Sequence, residues 1–300
     1  MKLLTGDRLG RARSAWRQWD KPSWSVVGTA AGVILALALA YRDVWPWLID
    51  EWQKNPYYSH GALVPLLSLF LVWQGRGALA ARRPSNWGYL LIGAAVGVLV
   101  AGLWWSAYWI AGLSLPVAIG GIVLALLGPQ VFRRWAFALV FLFLMVPLPF
   151  EIWIANSLES PTASASTAIV QLLGVPAENK GSLIQLPNSQ FQVGGECAGL
   201  RTSISLFTLA LFVVMVGTPG GVRNKAALLS LIIPLALVAN TARVAVLVLI
   251  ANAWGTDAAM NYYHDYASYL FFGLALALLI GISGVLRCPL WRVDFDLRPS

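Results

Sequence analysis

Long apolar runs separated by short polar segments dominate this sequence of 300 residues. A helix of about 20 apolar residues crosses a bilayer core, so each long run predicts a membrane span. Residues 84–132 contain no charged side chain and are long enough for two spans, with a break at the aromatic cluster 104–109. The whole pattern predicts eight spans, near residues 25–41, 60–74, 88–105, 109–127, 134–150, 198–217, 226–251 and 266–286.

The composition places the chain outside the range of soluble domains. Hydrophobic residues make up 58% of it, charged residues make up 11%, and the mean hydropathy is +0.69. We therefore expect an all-α fold, a polytopic membrane helical bundle with about eight transmembrane helices and a small external helix and hairpin segment. Residues 1–300 form one predicted domain, with a cytoplasmic basic leader at 1–24, an external segment at 151–197 and a cytoplasmic tail at 288–300.

Basic residues set the predicted orientation of the spans, because they cluster at alternate span ends as the positive-inside rule requires. The clusters are Lys2, Arg8, Arg11, Arg13, Arg17 and Lys21; Arg76, Arg82 and Arg83; Arg133 and Arg134; Arg223 and Lys225; and Arg287, Arg292 and Arg298. Both termini are therefore expected in the cytoplasm, in a multi-pass protein of the cytoplasmic membrane. This topology and anionic lipid headgroups account for the net charge of +8, so we expect no nucleic-acid partner.

The first span has one alternative reading. Residues 35–40 alternate Leu and Ala and resemble a signal-peptidase site. The basic region before them is longer than that of a secretory leader, so we expect the span to be retained.

The external segment is the one sizeable stretch predicted outside the membrane. Residues 152–173 predict an amphipathic helix pair at the interface, and residues 183–186 and 191–193 alternate like the strands of a small hairpin. Such a hairpin has two open interpretations. Its edge could accept an extended peptide by strand addition, or it could simply pack on the helices.

A thiol lies where this segment meets the sixth span. Cys197, next to Glu196, precedes a long apolar run. A helix N-terminus favours thiolate over thiol, and its free N–H groups can hold a developing oxyanion. Arg201 is expected one helical turn deeper on the same face. The alternative for a lone cysteine is inert packing in the core, and Cys288 fits this alternative. Cys288 is expected at the opposite side of the membrane, about 30 Å from Cys197, which is too far for a disulfide.

Two other spans bring polar residues to the same layer of the membrane. Asn240 and Arg243, spaced i,i+3, lie in the outer half of the seventh span, and His264 lies at the outer start of the eighth. An arginine inside a span costs about 2.5–3.5 kcal/mol, which favours a functional role for Arg243 over a structural one. Taken alone, His264 beside Asp265 and His60 before the second span are unremarkable residues of polar loops.

Taken together, these residues resemble the exosortase/archaeosortase family of polytopic membrane cysteine transpeptidases. The resemblance covers most of the chain and rests on Tyr58-Ser59-His60-Gly61, Glu196-Cys197-Ala198-Gly199-Leu200-Arg201, Asn240-Thr241-Ala242-Arg243 and His264-Asp265. It implies that Cys197, Arg243 and His264 take the positions of the family's proposed catalytic triad, and it leaves supporting roles for His60, Glu196, Arg201, Asn240 and Asp265. One departure is Ser268, where the family often has glycine.

The resemblance also implies the substrate. Members of the family process exported proteins that carry a C-terminal sorting signal of the PEP-CTERM type, composed of a motif, a transmembrane helix and a basic tail. Attack by a Cys197 thiolate, oxyanion stabilisation by Arg243 and protonation of the leaving amine by His264 are the expected steps. We expect the site to face outside and to need no metal or cofactor. The acyl acceptor, an amine or water, stays open.

Three other function classes are compatible with parts of the sequence. A membrane acyltransferase using the same external Cys197 and His264 is the principal alternative, since only the substrate separates the two. A transporter would be expected to place ionisable residues near the bilayer midplane, or broken helices in paired halves, and neither pattern is visible. A serine intramembrane protease is suggested by residues 281–284, but that motif lies far from either histidine.

Overall fold

The computed structural model describes residues 24–194, 197, 199–216, 221–288 and 290, and the chain is mostly helical there. Almost all of the predicted leader (1–24) and tail (288–300) lies outside the described residues. The chain divides into two compact units, Met1–Trp45 and Pro46–Ser300. Every contact described below lies within the second unit.

The helices and strands follow one another in a simple order. The α-helices are α1 (Trp24–Ala40), α2 (Val44–Lys54), α3 (Leu63–Gln74), α4 (Trp87–Trp104), α5 (Tyr108–Leu126), α6 (Pro129–Phe141), α7 (Glu151–Leu172), α8 (Leu200–Val216), α9 (Val222–Trp254) and α10 (His264–Val285). Three short strands, β1 (Glu178–Lys180), β2 (Leu183–Gln185) and β3 (Gln190–Gln192), lie between α7 and α8. Short 3₁₀ helices occupy Pro56–Tyr58, Arg76–Ala81 and Leu142–Met145, and a π-helical stretch, Ala259–Tyr263, leads into α10.

Four helices of the described chain are long and apolar enough to cross a membrane. They are α4, α5, α9 and the part of α10 from Tyr266 to Val285, and the number rises to five if α1 and α2 count as one broken span. The prediction of eight spans is therefore not confirmed. The helices in the predicted second and fifth spans, α3 and α6, have 12 and 13 residues. At a rise of about 1.5 Å per residue they reach about 18–20 Å, well short of a bilayer core.

Prolines after α6 and a turn before α3 keep these two helices short. Beyond α6 the chain forms one 3₁₀ turn, Leu142–Met145, and then reaches Pro147 and Pro149. A proline lacks the N–H that a helix interior needs, so two of them within the predicted span 134–150 stop it. Residues 59–62 form a turn, which delays the start of α3 to Leu63.

Helices α4 and α5 confirm the predicted break at residues 104–109, since α4 ends at Trp104 and α5 begins at Tyr108. The pair packs closely through small residues. A Cβ atom on Gly102 would lie 2.9 Å from the Cα atom of Ala111, so a larger residue would push the helices apart. Close approach through glycine and alanine is typical of helix packing in membranes.

The segment between α6 and α8 differs from its prediction in two respects. Residues 151–172 form one helix of 22 residues rather than a helix pair, because Pro161 is accommodated inside α7. The predicted hairpin is present as β2 and β3, and a third strand, β1, pairs antiparallel with β2. Sequence reasoning missed β1 because its residues, Glu178-Asn179-Lys180, are polar and show no alternation. Opposite residues Ile184 and Phe191 are fully buried and anchor the sheet.

The buried core of this unit includes separate clusters toward the two ends of α9. One joins the sheet to the later half of the helix and contains Ile184, Phe191, Cys197, Leu247 and Val248. The other surrounds the first half of α9 and contains Cys288, whose Sγ lies 3.7 Å from the carbonyl oxygen of Asn224. Asn224 precedes Asn240 by 16 residues, or about 24 Å of helix. The two free cysteines therefore lie in different clusters.

Candidate active site

Helix α9 provides the central wall of the site. Asn240 and Arg243 lie three residues apart on the helix, and their exposed fractions are only 3% and 6%. Alanines at 239 and 245 flank them, and both are buried. Small neighbours leave room for the two long polar side chains between α9 and the elements packed against it.

Cys197 lies in the segment between β3 and α8, with its side chain 3% exposed. Its N–H donates to the carbonyl oxygen of Gly194 at 2.8 Å. Its own carbonyl oxygen accepts a hydrogen bond of 2.6 Å from Nδ2 of Asn240. The backbone on either side of the thiol is therefore fixed by hydrogen bonds, one of which comes from the rigid helix α9.

Gly199 allows the chain to turn from Cys197 into α8 beside Asn240. Its φ of +88° is a conformation that residues with a Cβ atom rarely adopt. A Cβ atom there would also lie 2.8 Å from Cβ, Cγ and Nδ2 of Asn240. Glycine is thus favoured at this position for two reasons: its φ is positive, and Asn240 occupies the space that a side chain would need.

His264 brings an imidazole to this thiol. It begins α10, directly after the π-helical stretch Ala259–Tyr263, and its Nε2 lies 3.7 Å from Sγ of Cys197. This distance is within hydrogen-bonding range for sulfur. The thiol and the imidazole are 67 positions apart in the sequence, and the fold makes them neighbours.

Arg243 is connected to the same helix start through Ser268. Its Nη1 donates to Oγ of Ser268 at 2.7 Å, and that hydroxyl donates to the carbonyl oxygen of His264 at 2.8 Å. From the sequence, Ser268 is only a departure from the glycine that the family often has, and no role is predicted for it. Its position one helical turn after His264 was the available signal, because residues spaced i,i+4 share a helix face.

Other predicted site residues lie differently. Arg201 is the second residue of α8 and is exposed, whereas Cys197 precedes the helix and is buried. The prediction that they share a helical face is therefore wrong, because α8 begins three residues after the thiol. Glu196 lies outside the described residues, as does the side chain of Asp265.

His60 packs against Tyr58, with ring centroids 6.0 Å apart, in the turn before α3. Burial lowers its pKa to about 4, so the ring is neutral at neutral pH. No described residue makes a hydrogen bond to either ring nitrogen.

The serine of residues 281–284 is far from this arrangement. Ser283 follows His264 by 19 residues along α10, or about 28 Å. It is fully buried, donates to the carbonyl oxygen of Ile280 and accepts the N–H of Leu290. Its hydrogen bonds are those of a helix end, and its distance from His264 argues against a serine protease.

In this multi-pass membrane protein the Cys197 thiol lies beside the His264 imidazole, and Ser268 links the Arg243 guanidinium to the backbone of His264. The family model described as transmembrane exosortase matches residues 52–281, a range that contains all three groups. Because this match covers more than half of the chain, the protein belongs to the transmembrane exosortase family, a family of membrane cysteine peptidases and transpeptidases. Neither the curated proteins nor the solved structures contain a match.

Gly199→Ala should disturb the thiol specifically. The left-handed backbone costs an alanine about 1–2 kcal/mol, and the clash with Asn240 adds to it. We expect lower thermal stability and a changed rate of Cys197 alkylation by iodoacetamide. Gly174→Ala is the matched control, since Gly174 has a φ of +86° with no atom near its Cβ position. It should lose only the backbone part of that stability and should show normal alkylation. Equal alkylation in both variants would show that Gly199 does not position Cys197.

Proposed function

We propose that this protein is a membrane-embedded cysteine transpeptidase or protease that cleaves a C-terminal sorting signal of exported proteins. The observation that carries the proposal is the 3.7 Å distance between Sγ of Cys197 and Nε2 of His264. Membership of the transmembrane exosortase family supports the same reaction class. The exported substrate carries a motif, an apolar span and a basic tail.

Cys197 supplies the nucleophile. His264 takes the thiol proton, and the sulfur attacks the carbonyl carbon of the scissile peptide bond to give a tetrahedral intermediate. When the C–N bond breaks, His264 returns that proton to the leaving amine, which becomes the new N-terminus of the released segment. The remaining thioester joins Cys197 to the exported protein until an amine or water opens it.

Arg243 stabilises the negative oxygen of the tetrahedral intermediate. Its guanidinium is always charged and carries five N–H donors, of which Nη1 supplies one to Ser268. A charge held in a dry site acts more strongly than the same charge in water, and it needs no reorganisation during the reaction. Asn240 supports the step by holding the backbone of Cys197.

The site faces the outside of the cytoplasmic membrane in this proposal. Asn240 and Arg243 lie in the later half of α9, whereas Arg223 and Lys225 lie at its start. Basic residues mark cytoplasmic span ends, so the opposite end of the helix is external. An exported protein reaches this face only after translocation, which suits a reaction that removes its anchor.

The central test is a Cys197→Ala variant in the native host, with Cys288→Ala as the matched control. Mass spectrometry of secreted and surface proteins should show unprocessed C-termini only in the Cys197 variant, because only that thiol lies beside an imidazole. Unchanged C-termini together with altered lipid acylation would favour the acyltransferase alternative and overturn the proposal.

Arg243→Lys should separate the geometry of the guanidinium from its charge. Lysine keeps the positive charge but loses the planar set of donors, so processing should fall by about a hundredfold, as it does when one oxyanion donor is lost. Arg201→Lys is the control, since Arg201 is exposed, and it should process normally. Normal turnover at normal membrane levels in the Arg243 variant would leave Arg243 with a structural role only.

His264→Ala should change the pH dependence of Cys197 alkylation. Iodoacetamide reacts with the thiolate, which a free cysteine forms near pH 8.5. If His264 favours the thiolate, the half-maximal rate should move to higher pH in the variant, and His60→Ala should leave it unchanged. Cys288 contributes little near neutral pH because burial raises its pKa. An unchanged profile with normal processing in His264→Ala would exclude this role for His264.

A further inference from the structure

Strand β3 forms one edge of the small sheet, since the strand order is β1-β2-β3. Its middle residue, Phe191, is fully buried, whereas Gln190 and Gln192 on either side of it are exposed. Phe191 packs in the cluster that contains Leu247 and Val248 of α9. The strand is therefore anchored on the helix that carries the site, and the reaction proposed above assigns nothing to it.

The hydrogen bonds between β2 and β3 show which backbone groups point away from the sheet. The N–H of Val193 donates to the carbonyl oxygen of Ser182, and the N–H of Leu186 donates to that of Ser189. In an antiparallel pair the bonded residues alternate with residues whose backbone groups point to the other side. The N–H and C=O of Gln192 therefore point away from β2. No described residue is hydrogen-bonded to either group.

The contacts around this edge leave the backbone of Gln192 uncovered. Oγ1 of Thr256 donates to the carbonyl oxygen of Gln190 at 2.9 Å, so it occupies one outward group of β3 two residues before Gln192. The side chain of Gln192 turns toward β2, where its Nε2 donates to Oγ of Ser182 at 2.8 Å. An edge strand with free backbone groups is a template for another strand.

The free edge lies close to the thiol. Gly194 follows Gln192 by two residues, and its carbonyl oxygen accepts the N–H of Cys197 at 2.8 Å. An extended chain rises about 3.3 Å per residue, so a peptide of about four residues reaches from the edge to Cys197. A peptide that pairs with Gln192 therefore brings a carbonyl group within reach of the thiol.

The direction of β3 sets the direction of such a peptide. Ser189, at the start of the strand, donates to the carbonyl oxygen of Ala251 near the end of α9. Cys197, after the strand, is held by Asn240, about 16 Å of helix from Ala251. In the orientation proposed above, the strand runs from the external end of α9 toward the membrane. An exported substrate runs the same way, from its exported domain to its apolar span, so it lies parallel to β3.

We infer that the edge of β3 binds the extended segment of the substrate that precedes the cleaved bond, as a fourth, parallel strand of the sheet. The inference rests on the proposed function and adds how the substrate is held. The N–H of Gln192 donates to one carbonyl oxygen of this segment, and its C=O accepts the N–H of the residue two positions further on. A polypeptide backbone supplies both groups at strand spacing, whereas a lipid acyl chain supplies neither. The bound segment belongs to the part that stays on Cys197 as the thioester, so the strand holds it through both steps.

Disulfide cross-linking in membranes tests the pairing. The reporter is a cysteine-free C-terminal region of an exported protein that stays unprocessed in the Cys197→Ala host. Single cysteines at successive positions before its cleaved bond are combined with Gln192→Cys in a Cys197→Ala, Cys288→Ala background. Side chains of a strand alternate between its faces, so cross-links should form at every second position. Lys180→Cys is the matched control. Lys180 lies opposite Leu183, which lies opposite Gln192, so it shares the row but lies at the other edge and should form no cross-link.

The cross-linking pattern decides the inference in either direction. Cross-links of Gln192→Cys at every second reporter position support strand addition. Cross-links at all positions alike, equal cross-links from Lys180→Cys, no cross-link to the reporter, or cross-links only between two copies of the enzyme overturn it.

Gln192→Pro measures what the outward N–H contributes. Proline removes an N–H that the sheet does not use, so the strand keeps its bonds to β2 while reporter processing should fall by about tenfold. Asn179→Pro is the matched control. Asn179 lies opposite Ile184, whose backbone groups are bonded to β3, so its N–H points away from the sheet at the other edge. This variant should process normally.

The rate of Cys197 alkylation shows whether Gln192→Pro keeps the site intact. Lost processing with normal alkylation supports strand addition, and normal processing overturns it. Where alkylation changes, the cross-linking pattern decides, because that experiment contains no added proline. Cys197→Ala separates the two proposals. Processing of the reporter by that variant removes the proposed function, whereas normal processing by Gln192→Pro alone removes only strand addition.

Discussion

A permanent charge buried in an apolar helix is the constraint on which the site depends. Arg243 cannot lose its proton, and placing it in a span costs about 2.5–3.5 kcal/mol. The hydroxyl of Ser268 accepts a hydrogen bond from Nη1 of Arg243 and donates one to the carbonyl oxygen of His264. The contact that partners the charge therefore also fixes the first turn of the helix that carries the imidazole.

The same helix orients the thiol. Asn240, three residues before Arg243, holds the carbonyl oxygen of Cys197 at 2.6 Å. Cys197 and His264, whose Sγ and Nε2 lie 3.7 Å apart, are thus both held in position by hydrogen bonds that lead to α9. This explains how a cysteine that precedes α8 can keep a defined place beside the histidine that begins α10. Sites held by hydrogen bonds to rigid elements keep reacting groups within the small tolerances that catalysis needs.

The sequence predicted long apolar helices well and short ones poorly. Hydropathy identified α4, α5, α9 and α10 because each is a long uniform run, but it could not show that α3 and α6 are too short to span. The prediction of Cys197, Arg243 and His264 as site residues rests on the order of their motifs in the sequence, which says nothing of the distances between the side chains. Arg201 was misplaced because the exact start of α8 depends on Gly199 and its contact with Asn240, and that contact joins residues about 40 positions apart.

In the reaction proposed above, Arg243 meets a negative charge that exists only in the tetrahedral intermediate. A contact that is made only in the intermediate accelerates the chemical step, whereas a contact made equally with the bound substrate only strengthens binding. Under this proposal the cost of burying the arginine is a condition for catalysis. The Ser268 hydroxyl that accepts from the guanidinium also donates to the backbone of His264, so the buried charge and the position of the imidazole are linked.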